Sequence, residues 1–121
     1  MAETHMMIAQ YIRDTVGQPF VWGHSDCVMW ATGAVLAATH SDPMSGLRGR
    51  YDSEQGAHAL MRAEGGMVPM FDGRMNRSVE GVCVVRLLGK LTAGLFVGGR
   101  VACKSETGVI FPRLQPMGVW F

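Results

Sequence analysis

The chain has 121 residues, 48% hydrophobic and 17% charged, so it can bury one core and is too apolar to stay disordered. Eleven basic and ten acidic residues leave a net charge of +1 with no basic run, which excludes a surface built for nucleic acid or for an anionic membrane. No segment approaches the ~20 consecutive apolar residues of a membrane-spanning helix, so no membrane insertion is expected.

In chain order, Ile8, Tyr11, Ile12 and Val16 recur at helical spacing and predict an amphipathic helix over residues 4–16, ended by Gly17 and Pro19. The opening stretch lacks the basic start and small-residue cleavage site of a secretory signal, so the chain is expected to be made without one. A buried helix is predicted from Asp26 to Thr39, then a turn at SDPMSG, then the basic link LRGRY. A third helix runs from Ser53 to Ala63 and is stopped by Gly65 and Gly66. Residues 67–78 read as irregular. From Val79 onward VCVVRLL, GLFVG, RVACK and GVIF are short β-branched or aromatic runs divided by glycines and charges, the pattern of an antiparallel sheet. Helices over about 4–64 followed by strands over about 79–121 make a single α+β domain with N-terminal helices on one face of a small C-terminal sheet.

The chemistry concentrates in PFVWGHSDC, residues 19–27. Cys27 sits where loop becomes helix, with Ser25 or Asp26 as N-cap, and free N–H groups and the dipole of a first turn favour a thiolate. Three cysteines, Cys27, Cys83 and Cys103, are too few for a disulfide framework and lack the paired spacing of a zinc site. With His5, His24, His40 and His58 they define no metal site and no cofactor.

The run FVWGHSDC before an apolar helix resembles the nucleophile loop of NlpC-type cell-wall peptidases, which have a papain-like fold. EGVCVV and TAGLFVGGRVACKS are similar to the strands that carry the rest of that site, so the resemblance spans residues 15–112. With LRGRY and the helix after it, the chain looks closest to short NlpC-like proteins of tailed-phage and prophage tail modules. The resemblance places Cys27 on the nucleophile, Asp26 on the acidic residue that caps the helix, and Phe20 on an aromatic position often held by tyrosine, with Trp22 supporting the loop. It places Thr92 on the general-base histidine and puts the orienting polar residue near Cys103 or Lys104. Threonine cannot take a proton from the thiol and return it to a leaving amine, and losing a base costs ~10²–10⁴-fold in rate. His24, three residues from Cys27, is the substitute base to test; His58 ranks behind it.

Two readings follow. In one, the chain is a structural component of a phage tail tip or baseplate that keeps the NlpC-like fold without its histidine. It would lie in the virion and contact distal-tail, hub or tape-measure proteins. In the other, it is an active cysteine amidohydrolase that cuts peptidoglycan peptides to aid genome delivery. Arg48, Arg50 and Tyr51 are candidate interface residues, as are Met67, Met70 and Phe71 in an exposed apolar loop.

Overall fold

The computed structural model describes residues 2–121. Helices α1 (Ala2–Thr15), α2 (Cys27–Thr39), α3 (Glu54–Ala63) and α4 (Met67–Asp72) precede strands β1 (Arg77–Leu87), β2 (Lys90–Val97), β3 (Arg100–Ser105), β4 (Gly108–Ile110) and β5 (Gly118–Trp120). The strands form one sheet in the order β4-β3-β2-β1-β5, antiparallel throughout. This is the α+β arrangement of helices first and sheet second.

Helix α2 has no polar face, since Val28, Met29, Trp30, Ala31, Thr32, Ala34 and Val35 are all buried. A helix apolar all round has to be covered on every side. α1 covers one side: the Tyr11 hydroxyl donates to the Trp30 carbonyl at 2.6 Å, and the Trp30 indole N–H donates to Thr15 Oγ1 at 2.8 Å. The sheet covers another, through Val82, Val84, Ala93, Leu95 and Ala102. Residues alternating with these, Cys83, Val85, Val101 and Cys103, form a second apolar cluster on the opposite face.

Residues 67–78 are more regular than the sequence reading allows. Met67–Asp72 is a short helix, and Pro69 fits because it stands in the first turn, where its missing N–H has no acceptor to satisfy. Met67, Met70 and Phe71 are buried, so they are core and not an exposed interface patch. Their cover is β5: the Phe71 and Trp120 rings meet edge-to-face at 5.4 Å, and the Trp120 indole donates to Asp72 Oδ1 at 2.8 Å. β5 reaches β1 beside a bulge at Gly81, where φ is +144° and a Cβ would strike the Trp120 carbonyl.

LRGRY is likewise internal. Arg48 donates to both Asp42 carboxylate oxygens at 2.8 and 3.0 Å, to the Met29 carbonyl at 2.9 Å and to Thr32 Oγ1 at 3.1 Å. Tyr51 is buried. The interface reading of these two is therefore corrected: a guanidinium bonded to three residues and a buried phenol are fixing the turn against α2. Arg50 remains exposed and donates to the Gly46 carbonyl at 2.8 Å.

Candidate functional site

Asp26, not Ser25, caps α2. Its Oδ1 accepts from the Met29 N–H at 3.0 Å, while Oδ2 accepts from the Gly23 N–H at 2.8 Å and the Tyr51 hydroxyl at 2.6 Å. Ser25 instead folds the loop before it, accepting from the Val21 N–H at 3.0 Å and donating to the Pro19 carbonyl at 2.6 Å. Gly23 is required here: its φ is +86°, and any Cβ would collide with the Tyr51 carbonyl. Loop, cap and LRGRY turn are thus one hydrogen-bonded unit that holds Cys27 at the first position of α2.

Cys27 opens onto a cleft of about 860 Å³. Trp22 stands on one side, edge-to-face with Phe20 at 4.8 Å. α3 forms the facing wall through Ala57, His58, Met61 and Arg62, and β2 closes the end with Lys90, Leu91 and Thr92. His58 is the histidine among the described residues that shares this cleft with Cys27. His24 is exposed and lies against the Gly49 turn, outside the cleft lining, so the structure does not bring it to Cys27.

The strand register separates Thr92 from Ala93. Thr92 pairs with Val85, which belongs to the cluster on the far face of the sheet. Ala93 pairs with Val84 and packs in the main core with α2, and its backbone amide reaches the Cys27 sulfur. The residue facing the thiol is therefore Ala93, while Thr92 only borders the cleft. On β3 the same alternation puts Lys104 on the helix-facing side and Cys103 on the other. Lys104 is buried, and its ammonium donates to the Gln18 carbonyl. A two-residue period counted back from Leu95 through Ala93 is the signal in the sequence that reveals this separation.

Electrostatically the site protects a thiol. Burial pushes the Cys27 pKa up to about 12, and the neighbouring Asp26 charge pushes in the same direction; the Ala93 amide and the helix-start amide of Val28 oppose them without prevailing. The helix start does favour the thiolate, through the Val28 amide, and desolvation outweighs it. Alkylation of Cys27 by iodoacetamide at pH 7.5 should accordingly run roughly 10³-fold slower than that of a free cysteine. Peptide mapping by mass spectrometry reads this directly, and complete labelling of Cys27 within minutes would refute it.

Among the described residues no group of three or more His, Cys, Asp or Glu side chains gathers as for a metal ion, and no helix is long and apolar enough to cross a membrane. Compared with known protein families, residues 2–121 match a family described as a domain of unknown function, DUF6950. The chain belongs to that family. No curated protein and no solved structure matches it.

Proposed function

We propose that this DUF6950 chain is a structural component of a phage tail tip, built on an NlpC-like fold that has lost its catalytic base. The observation that carries the reading is Ala93, on the helix-facing side of β2 with its backbone amide beside the Cys27 thiol. A methyl group there can neither accept the thiol proton nor deliver one to a leaving amine, and acyl transfer from an amide needs both. The raised thiol and the buried Lys104 at the orienting position support the same conclusion. What remains is a braced loop, a cleft and a rigid core, which suit a part that binds rather than cuts.

The active amidohydrolase is the second reading, and one observation favours it: His58 lines the same cleft as Cys27. Release of muropeptides from purified peptidoglycan separates the two. The wild type is expected to release none, and Ala93→His is the variant in which a base would regain its place over the sulfur. Release by the wild type that disappears in Cys27→Ala would overturn the non-catalytic reading. Mass spectrometry of tail particles purified from the strain that encodes the chain tests the location. The chain is expected there in fixed ratio to the other tail proteins, and its absence from intact particles would overturn the assignment to the tail.

A further inference from the structure

The cleft holds an unused strand edge. β1 and β2 join through a tight hairpin that pairs Leu87 with Lys90, and the pairing continues to Gly81 with Phe96. Antiparallel strands direct the N–H and C=O of alternate residues to alternate sides. The Val84 carbonyl accepts from the Met117 N–H at 2.7 Å, on the side of β1 away from β2, so Val84 and its partner Ala93 both turn their backbone groups outward from that pair. Leu91, two residues earlier, turns outward as well. β3 covers that side of β2 only from Leu95 onward, where Leu95 pairs with Ala102. The Ala93 amide lies beside the Cys27 thiol, and Leu91, which lines the cleft, has no strand partner on its outward side among the described residues.

The walls add two further features. The depth of the cleft is apolar, lined by Trp22, Ala57, Met61, Met67 and Leu91. Its rim is charged, with Arg62 and His58 on α3 and Lys90 on the hairpin opposite, all exposed; Arg62 and Lys90 form no ion pair among the described residues. Glu54 is the one carboxylate on the rim, and Asp26 lies below, engaged by Gly23, Met29 and Tyr51.

We propose that this cleft docks an extended segment of a partner protein that adds to the β2 edge at Leu91, with apolar side chains entering the cleft and acidic ones meeting Arg62 and Lys90. An extended chain alternates its side chains between two sides, which matches an apolar floor beneath a basic rim, and strand addition supplies affinity through main-chain hydrogen bonds. Arg62 and Lys90 outnumber Glu54 on the exposed rim, where a partner's outward side chains meet them, and this favours acidic side chains there over basic ones. The inference rests on the non-catalytic reading, because a bound segment must be held and not cut.

The test uses a fluorescently labelled acetyl-Val-Glu-Leu-Glu-Val-amide and its counterpart with Lys in place of Glu, followed by anisotropy against the full chain. The acidic peptide should bind and the basic one should bind at least about tenfold more weakly. The double variant Arg62→Glu, Lys90→Glu should reverse that order, since both sites are exposed and the fold does not depend on them. Hydrogen exchange should show the Leu91 amide slowed by the acidic peptide. Absence of binding, equal affinity for both peptides, or an unprotected Leu91 amide would overturn the docking proposal and leave the tail assignment untouched. Cleavage of the bound peptide would instead overturn the non-catalytic reading on which the proposal rests.

Discussion

Asp26→Ala is expected to destabilise the protein by roughly 3–5 kcal/mol, from a lost helix cap at ~1 kcal/mol and two further buried donors left without an acceptor at ~1–2 kcal/mol each. The carboxylate is 1% exposed and accepts from three groups that belong to three different segments: Gly23 in the loop, Met29 in α2 and Tyr51 after the LRGRY turn. In a domain of this size such a loss lowers Tm by roughly 10–20 °C. Urea unfolding followed by tryptophan fluorescence measures it. Tyr51→Phe should cost about 2 kcal/mol alone, as for a hydrogen bond to a charged group, and much less in the Asp26→Ala background. A cost below 1 kcal/mol for Asp26→Ala would mean that the junction does not hold the loop.

That junction also explains which parts of the site were legible in the sequence. Asp26 and Cys27 could be placed because capping is local: a side chain three residues from an amide, before an apolar run, needs no knowledge of the rest of the fold. The first three helices were legible for the same reason, each ending within two residues of its predicted bounds. Arg48 and Tyr51 were misplaced at the surface because charge and a hydroxyl argue for solvent until a buried partner is known. Their partners lie 6 to 25 residues away, on Asp42, Met29, Thr32 and Asp26. α4 was missed because Pro69 and the flanking glycines read as breakers, whereas a proline in a first helical turn breaks nothing.

Thr92 shows a different limit of reading a string. Matching TAGLFVG to a motif aligns letters along a string, but the side chain that faces Cys27 is decided by the parity of the strand. Leu95 and Ala102 face the helices, so Ala93 and Lys104 do too, and a shift of one residue carries Thr92 to the other side. The wider cleft was beyond reach for a related reason. α3 and the β2 hairpin are about thirty residues apart in sequence, and nothing local signals that Arg62 and Lys90 stand across one opening. Neither Thr92 nor Ala93 carries a group that acts as a base near neutral pH.

Alkali should unfold this protein well before it reaches the tyrosines, and the thiols are the reason. Burial, the leading cause in each case, pushes Cys27 and Cys83 up to about 12 and Cys103 up to about 11; the Cys103 thiol also adds to the rise at Cys83 and at Cys27. In the unfolded chain these thiols ionise near pH ~8.5. Between about pH 8.5 and 11 the unfolded state has therefore released protons that the native state still holds, so stability is complete below that window and falls as pH rises through it. Each thiol contributes a slope of ~1.4 kcal/mol per pH unit, and three together approach ~4. Two pH units at that slope equal much of the ~5–15 kcal/mol that holds a domain together. Tyr11, pushed up to about 12 by burial, and Tyr51, raised by burial and by its bond to Asp26, add to the loss above pH ~10. Urea midpoints measured in reductant from pH 7 to 10.5 should stay level to about pH 8 and then drop steeply. Cys83→Ala should remove about a third of the slope even if it lowers the plateau, because its cavity cost is independent of pH while its proton is not. Midpoints that hold level through pH ~10.5 would show that the native thiols ionise as readily as the unfolded ones, and the site would then contain a thiolate after all.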